Sequence, residues 1–246
     1  MGPPDAAELL KGVSSGKPLA IILAGHNGSG KSTLWKEKFT DVLQIPLINA
    51  DRLVLSILPE PKGDPPRLPS WADHLRDNDE RWQRVSQLVV QSFIERALER
   101  RVSFAYETVF SYFERQPDGS YRSKGDLITG FQQAGYAVAL LFVGLANAEI
   151  SKFRVETRRE QGGHAVPENK LYKRFPRTQE AIAMAAPRAD LTLMFDNSRT
   201  PAKAFSLVRA QAGSVVHYDC RASGLDDKEL VRVADIWLSK VAPKID

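Results

Sequence analysis

The chain has almost none of the residues from which a disulfide framework or a cysteine-rich metal site is built. Its 246 residues include a single cysteine, Cys220, and four histidines. One thiol excludes an intramolecular disulfide and a four-cysteine zinc site. The histidines show no second ligand at a spacing typical of metal sites. We therefore expect a protein of a reducing compartment, the cytoplasm.

Long apolar runs are missing as well. The longest, over residues 137–146, is about half of the ~20 residues that a membrane-spanning helix needs. Acidic side chains at Asp5 and Glu8 interrupt any signal-peptide pattern near the start. The sequence therefore predicts no membrane partner.

The positive charge of the chain is concentrated in one segment. The net charge is +4, and residues 152–177 alone contain eight Lys or Arg against three Glu. Few aromatic residues lie among these charges, so we do not expect nucleic acid as the partner. A Gly-Gly pair at 162–163 divides the segment, which predicts two basic helices joined by a hinge. Such a charged segment is usually a solvated surface. Because the phosphate-binding pattern described next is present and the segment precedes the last predicted core strand, we interpret residues 151–180 as a lid over phosphates.

The most informative stretch is residues 25–32, which read G-H-N-G-S-G-K-S directly after the apolar run 19–24. This pattern, between a predicted strand and a predicted helix, is a phosphate-binding P-loop. Its backbone N–H groups and lysine bind phosphate oxygens, and its serine hydroxyl is a usual ligand of nucleotide-bound Mg²⁺. We therefore predict ATP and Mg²⁺ as cofactors, with Ser32 as the metal ligand. The predicted nucleotide-binding residues are Gly25, Asn27, Gly28, Ser29, Gly30, Lys31, Ser32 and Thr33.

Two further predicted strands end on acidic residues. Asp51 follows the strand over 45–50, and Glu107 with Thr108 follows the strand over 102–106. Ligands of parallel sheets bind beyond the carboxyl ends of the strands. We therefore expect both acids beside the P-loop. The alternative interpretation of Asp51 is an N-cap of the next helix.

The remaining periodicity predicts one P-loop kinase-like domain over residues 1–246. Strands over 137–143 and 191–195 complete an alternation of strands and helices, which predicts an α/β fold of three layers with a mainly parallel central sheet. Apolar residues at helical spacing predict a helix over 81–100 with a buried face. Residues 1–17 are predicted to be a flexible tail, and residues 225–242 a C-terminal helix capped at Asp226.

Three smaller elements are also predicted. Thr200 and Pro201 are typical of a helix start, as N-cap and first helical residue, and predict a helix there. A short strand near 214–218 is predicted after that helix. The sequence P-D-G at 117–119 predicts a turn.

Several motifs together resemble the zeta toxin family of P-loop kinases. They are the P-loop, N-A-D-R at 49–52, Y-E-T at 106–108, R-R-E-Q-G-G-H-A-V-P at 158–167, K-R-F at 173–175 and D-N-S at 196–198. The similarity extends from about residue 19 to residue 198. Its most specific part is the Gly-Gly-His-x-Val-Pro element between two arginine clusters.

The resemblance implies ATP-dependent phosphorylation of a sugar hydroxyl, in the best-known members that of UDP-N-acetylglucosamine. It also makes an antitoxin protein a candidate partner. Lys31 and the general base Asp51 would be catalytic, together with two arginines that hold the transferring phosphate, Arg158 and Arg174. Either arginine could be replaced by a neighbour, Arg159 or Arg177.

The resemblance also gives the acceptor side of the site. The residues implied to bind the acceptor are Asp51, Arg52, Glu107, Thr108 and His164.

Other functions stay open at this point. Residues 59–69 contain five prolines and match no pattern of the family, and they lie where an acceptor would be selected. The acceptor could therefore be an antibiotic or a different nucleotide. A conformational ATPase would instead use the strand over 191–195 and Asp196 to hold Mg²⁺, although Asn197 stands where a second acid is expected.

Overall fold

The computed structural model describes residues 2–14, 16–119, 121–161, 163, 166–222 and 224–242. The strands in these ranges are β1 (Leu19–Gly25), β2 (Leu47–Ile48), β3 (Phe104–Thr108), β4 (Phe113–Arg115), β5 (Tyr121–Ser123), β6 (Ala137–Gly144), β7 (Leu191–Asp196), β8 (Ser206–Ala212) and β9 (Val215–Asp219). The α-helices are α1 (Ala6–Ser14), α2 (Lys31–Lys38), α3 (Thr40–Leu43), α4 (Ala50–Ser56), α5 (Ser70–Asn78), α6 (Glu80–Arg100), α7 (Asp126–Gln133), α8 (Ala148–Glu160), α9 (Glu168–Ala185) and α10 (Lys228–Val241).

Seven strands form one sheet in the order β2-β3-β1-β6-β7-β8-β9. The first five strands run parallel, and β8 and β9 are antiparallel additions at one edge. The predicted α/β fold with a mainly parallel sheet is therefore confirmed. The P-loop strand β1 lies between β3 and β6, so the segments that follow these strands meet at the carboxyl edge of the sheet.

Helices pack on both faces of the sheet, which makes three layers. On one face, Phe104 of β3 contacts Phe131 of α7, and Phe142 of β6 contacts Trp237 of α10. The register of the strands puts Phe195 on the opposite face, where it contacts Phe39.

The packing against α10 leaves no space at one position of β6. A Cβ atom on Gly144 would lie 2.4 Å from the Trp237 ring. Side-chain packing of this density is typical of protein interiors, and it explains why a glycine ends this strand. Cys220 is buried in the same core.

The N-terminal segment differs from its prediction. Residues 1–17 were expected to be a flexible tail, but α1 occupies most of them and buries Leu10 completely. Leu9 and Val13 pack against the same core. The helix is amphipathic because its apolar residues recur at helical spacing, and burial of that face outweighs its short length.

The C-terminal third also differs in detail. After Pro201 the chain makes only a short 3₁₀ turn, Pro201–Lys203, and then enters β8, so the helix expected there is wrong. The last helix begins at Lys228 rather than at residue 225, with Asp227 as its N-cap rather than Asp226. The predicted turn at 117–119 connects β4 and β5, a hairpin that the sequence pattern did not indicate.

Helix α6 agrees with its predicted bounds but not with its predicted burial. The helix buries Ser86 and Val90. Four of the apolar residues expected in the core are exposed instead; they are Val85, Leu88, Val89 and Phe93. Helical periodicity identifies an apolar face, but it does not indicate whether another element covers that face. No helix in the described ranges is long and apolar enough to cross a membrane.

Candidate active site

The P-loop lies between the end of β1 and the start of α2. Gly28 and Gly30 have φ angles of 66° and 93°, which side chains of L-residues rarely adopt. A Cβ on Gly30 would also lie 2.6 Å from the amide nitrogen of Asn197. Both glycines are therefore required by backbone conformation, and the second also by the close approach of the neighbouring loop.

Side chains from two other segments hold the loop. Ser151 of α8 donates a hydrogen bond to the carbonyl oxygen of Asn27 at 2.6 Å, and Asn197, just after β7, donates one to that of Ser29 at 2.8 Å. The Asn27 side-chain oxygen and the Ser29 hydroxyl are buried without a partner in the described residues. Unpaired buried polar atoms are costly, and here they lie in a loop shaped to bind phosphate.

Lys31 points back into the loop that precedes it. Its ammonium donates to the carbonyl oxygens of Gly25 and His26 at 3.1 and 3.0 Å. Burial lowers the pKa of Lys31, and the negative charges of Glu107 and Asp51 oppose this shift. The lysine is thus a desolvated cation for which a phosphate anion would be a favourable partner.

Glu107 lies at the P-loop serine. The Ser32 hydroxyl is 2.9 and 2.8 Å from the two carboxylate oxygens of Glu107, and the Asn49 amide donates to one of them at 2.7 Å. Hydroxyl and carboxylate oxygens are the donors that Mg²⁺ prefers, so Ser32 and Glu107 fit this ion. No group of three or more His, Cys, Asp or Glu side chains in the described ranges could hold a metal by itself.

Asp51 lies in the first turn of α4 and not directly after the strand predicted over 45–50, because β2 has only two residues. The N-cap of α4 is Asn49, whose side-chain oxygen accepts from the backbone N–H groups of Asp51 and Arg52. The N-cap interpretation of Asp51 is therefore wrong. The Asp51 carboxylate is exposed to the cleft rather than used to end the helix.

Helices α8 and α9 occupy the segment that was predicted to be a lid, and the lid function stays a prediction. Their N-terminal turns are joined by an ion pair of 2.8 Å between Lys152 and Glu168. The lid also contacts the P-loop directly, because the buried ring of His26 stacks on Phe175 of α9 at 3.9 Å between ring centres. Burial lowers the pKa of His26 to about 3, so its ring is neutral.

The structure separates the lid arginines. Arg158 and Arg174 line the same cleft as Lys31, whereas Arg159 lines two other pockets beside α5. Burial lowers the pKa of Arg174, and the charge of Asp51 opposes this shift. Arg177 also lines the cleft, but its guanidinium donates to the carbonyl oxygen of Phe113 at 2.6 Å.

One cleft of about 630 Å³ contains most of the predicted site. It includes side chains of the P-loop, both acids, the lid cations and the start of α7. The residues that line it include Asn27, Gly28, Lys31, Asn49, Asp51, Tyr106, Glu107, Thr108, Lys124, Arg158, Lys170, Lys173 and Arg174.

Some predicted residues lie elsewhere. Thr33 and Arg52 are exposed and do not line this cleft. His164 lies outside the described residues. Asp196 is completely buried and accepts hydrogen bonds from Trp237 at 2.9 Å and from Ser198 at 2.8 Å. Because its carboxylate is buried and already accepts these hydrogen bonds, we assign Asp196 a structural role rather than that of the magnesium-binding acid of a conformational ATPase.

The sequence interpretation missed two kinds of site residue. Asn49 stood inside a quoted motif, but its contact with Glu107 depends on a helix start that the pattern did not locate. Tyr106 stood inside the quoted Y-E-T motif without a role of its own, and Lys124 belongs to none of the quoted motifs. Lys124 donates hydrogen bonds to Thr108 and to the Tyr106 hydroxyl, and only the three-dimensional approach of α7 to β3 brings these residues together.

A comparison with models of protein families tests whether the chain belongs to the family that its motifs resemble. The family model described as Zeta toxin matches residues 6–202, most of the chain. The chain belongs to the zeta toxin family. The resemblance found in the sequence is thereby confirmed, and membership supports a P-loop kinase-type function, that of a phosphotransferase. No curated protein sequence matches this zeta toxin family member.

Solved structures with the same fold include toxin–antitoxin proteins. A chain of the PezAT chromosomal toxin–antitoxin system of Streptococcus pneumoniae is 14% identical with a TM-score of 0.54, over 98% of this chain and 86% of that chain. A chain of AvrRxo1-ORF1:AvrRxo1-ORF2 with sulphate ions is 14% identical with a TM-score of 0.60, over 98% and 70%. A chain of AvrRxo1-ORF1:-ORF2 with ATP is 13% identical with a TM-score of 0.58, over 98% of this chain and 69% of that chain. At these identities the likeness is one of fold.

Proposed function

We propose that this chain is an ATP-dependent kinase that phosphorylates a hydroxyl group of a nucleotide sugar, with UDP-N-acetylglucosamine as the first candidate. The observation that supports this most is the composition of the cleft, in which the P-loop lysine, Asp51 and two lid arginines line one cavity. A binding loop alone would need neither the acid nor the arginines.

ATP would bind with its phosphates in the P-loop. The backbone N–H groups at the start of α2 and the Lys31 ammonium are donors suited to the β- and γ-phosphates. Ser32 and Glu107 would hold Mg²⁺, which supplies charge neutralisation at the phosphates. Asn49 orients the Glu107 carboxylate for this task. In this proposal Glu107 serves the nucleotide side of the site more than the acceptor that the family resemblance implied.

Asp51 is the proposed general base. The acceptor oxygen attacks the γ-phosphorus and its proton moves to the Asp51 carboxylate, while the bond to the oxygen that bridges the β- and γ-phosphates breaks and ADP leaves. Negative charge on the transferring group would be stabilised by Arg158 and Arg174, whose side chains line the cleft from the lid. Asp51 also moderates the pKa of Arg174, which supports their proximity.

A phosphotransferase acting on another acceptor is the second candidate. Residues 59–69 are a proline-rich loop beyond α4, and the acceptor wall of the cleft includes side chains of α6 that no motif indicated. An antitoxin protein as a partner is proposed from one structural neighbour, the chain of the PezAT toxin–antitoxin system.

Mass spectrometry tests the reaction directly. The purified protein is incubated with ATP, Mg²⁺ and a panel of nucleotide sugars that includes UDP-N-acetylglucosamine, with Lys31→Ala as the control. We expect one added phosphate on the sugar nucleotide, absent with the variant. ATP turnover without a phosphorylated sugar would contradict the nucleotide-sugar acceptor and favour the second candidate.

Replacing the proposed base tests the mechanism. Asp51→Asn keeps the size of the side chain and removes the proton acceptor, so kcat should fall by roughly 10²–10⁴ with little change in ATP affinity. Single-turnover phosphate transfer and ATP titration measure the two quantities. Asp41→Asn, an exposed acid on α3 away from the cleft, is the matched control. Full activity of Asp51→Asn would exclude the general-base role.

A further inference from the structure

A cluster of three side chains on the β3 side of the cleft is not needed by the nucleotide. Lys124, just before α7, donates hydrogen bonds to the hydroxyls of Tyr106 at 3.2 Å and of Thr108. All three side chains line the cleft that contains Lys31 and Asp51. Tyr106 and Thr108 are buried, so the position of the ammonium is fixed by groups that are themselves held in the fold.

The hydrogen atoms of this cluster are arranged for an anion. The Tyr106 oxygen accepts from Lys124, and the Thr108 oxygen accepts from Lys124 and from the backbone N–H of Phe110. Neither hydroxyl donates a hydrogen bond to any residue in the described ranges, and Lys124 uses two of its three N–H groups. Three unused donors, one of them charged, therefore remain in one corner of the cleft.

Lys124 also differs from the arginines outside the P-loop whose side chains are less than a tenth exposed. Within the described residues it has no carboxylate within ion-pair distance. Basic side chains buried elsewhere have one at 2.7 Å, in the pairs Arg76–Asp77, Arg199–Asp227 and Arg221–Asp219. Lys31, the lysine of the P-loop, shares this absence of an acidic partner in the described ranges, and its expected ligand is a phosphate. The comparison indicates that the anionic partner of Lys124, like that of Lys31, is a group of a bound ligand.

We propose that Lys124, Tyr106 and Thr108 form a second anion site, which binds a phosphate group of the acceptor. This inference rests on the proposed kinase function, because it describes the acceptor side of the same cleft. A tetrahedral phosphate presents several oxygen atoms to donors from different directions, and hydrogen bonds to charged groups are the strong ones. The site therefore favours phosphate-bearing acceptors and disfavours cationic ones such as amino-sugar antibiotics.

Calorimetric titration with the P-loop filled tests this site. The full chain is saturated with Mg²⁺ and the non-hydrolysable ATP analogue AMP-PNP, and then titrated with matched pairs: UDP-N-acetylglucosamine and N-acetylglucosamine, UDP and uridine, glucosamine 6-phosphate and glucosamine. We expect the phosphate-bearing member of at least one pair to bind about ten- to hundredfold more tightly. Equal affinity within every pair, including no binding of either member, overturns the proposal.

Variants assign that preference to the cluster. Lys124→Met keeps the length of the side chain and should abolish the difference within a pair, whereas Lys124→Arg should keep most of it. Tyr106→Phe keeps the ring and removes one donor, so a smaller loss is expected. Lys240→Met, at an exposed position of α10, is the control. Thermal melting checks that each variant is folded, and an undiminished preference in both Lys124→Met and Tyr106→Phe overturns the assignment.

The result separates this inference from the kinase proposal. Binding of phosphate-bearing compounds that depends on Lys124, without phosphate transfer to any acceptor, would leave the anion site standing and remove the kinase proposal. Phosphate transfer to acceptors without a phosphate, at the same efficiency in wild type and Lys124→Met, would overturn the anion site alone.

Discussion

His26 shows how one residue in a motif can serve the fold rather than the chemistry. It occupies a variable position of the P-loop pattern, and that pattern assigns no role to the residue there. In the structure its ring stacks on Phe175 and contacts the edge of Phe142. Both ring nitrogens are buried without a partner in the described residues. A pattern of neighbouring residues cannot identify such a contact, because the partner comes from a distant helix.

The neutral state of His26 predicts a pH dependence of stability. Its pKa is about 3 in the folded protein and about 6.5 in an unfolded chain, so the folded state resists protonation. The contribution is fully present above pH ~6.5 and is lost as the pH falls towards 3, by ~1.4 kcal/mol per pH unit. At pH 5 the loss should be about 2 kcal/mol relative to pH 7.

Replacing the ring isolates this effect. His26→Phe keeps the stack and removes the titrating group, so the variant should lose about 2 kcal/mol less than wild type between pH 7 and pH 5. Urea unfolding at both pH values measures the difference. His217→Phe, at an exposed position of β9, is the control and should keep the wild-type dependence. An unchanged pH dependence in His26→Phe would show that another group causes the acid sensitivity.

Among the elements, α9 combines two roles along its length. Its first half presents Lys170, Lys173 and Arg174 to the cleft, and its second half is buried in the core with Ala181 and Ile182. Pro176 stands inside the helix between these halves. Proline lacks the N–H group that an interior helix position uses, so it weakens the helix where the cleft-lining part meets the core.

Removal of that proline should stabilise the protein. Alanine is favoured over proline by ~3 kcal/mol inside a helix, and the greater freedom of the unfolded variant offsets up to ~1 kcal/mol of this. We expect Pro176→Ala to raise the free energy of unfolding by about 2–3 kcal/mol, measured by urea denaturation. Glu180→Ala, an exposed position of the same helix, should change it by less than ~0.5 kcal/mol. A destabilised Pro176→Ala would mean that the surrounding packing requires the proline.

Elements with strong local signals could be predicted from the sequence, and the others could not. β1, the P-loop and β6 are continuous apolar or glycine-rich runs, and their bounds were correct within a residue or two. β8 was missed because two of its inward positions are polar. Arg209 and Gln211 are buried there, satisfied by each other at 2.7 Å and by Asp219 at 2.6 Å. The first bond lies within β8 and the second is formed with β9, and neither leaves a trace in a hydrophobicity pattern.

For the whole molecule, the parallel order of the sheet explains why so much of the site was foreseen. Strand ends of a parallel sheet lie at one edge, so the sequence positions of Asp51 and Glu107 were enough to place them near the P-loop. What could not be foreseen is which atoms touch. Glu107 contacts Ser32 and Asn49. Which of Arg158 and Arg159 faces the cleft depends on the orientation of α8 about its axis, which the sequence does not indicate.

The charge distribution of the whole molecule predicts a salt dependence of catalysis. Cations exceed acids in the cleft, whereas the ion pairs that hold the fold are short and in several cases largely buried. Screening weakens attraction between exposed charges much more than between buried ones. Raising KCl from 50 to 500 mM should therefore increase KM for ATP several-fold and leave the thermal unfolding midpoint nearly unchanged.

The lid lysines provide the comparison for this effect. In the double variant Lys170→Ala and Lys173→Ala, the rise of KM with salt should be smaller, because two of the screened cations are absent. The pair Lys228→Ala and Lys240→Ala on α10 removes the same charge from outside the cleft and should follow wild type. An equal salt effect in both double variants would mean that the net charge, and not the cleft, attracts the nucleotide.

The burial of Cys220 makes the protein convenient for spectroscopy. The thiol is 1% exposed, and burial raises its pKa to about 11, so at neutral pH it is a poor nucleophile towards maleimide dyes. Cysteines introduced at exposed Glu160 on the lid and Glu37 on α2 would be the reactive pair without removal of the native one. Fluorescence transfer between two dyes could then follow the distance from lid to P-loop helix in single molecules, with the interior of the protein unaltered.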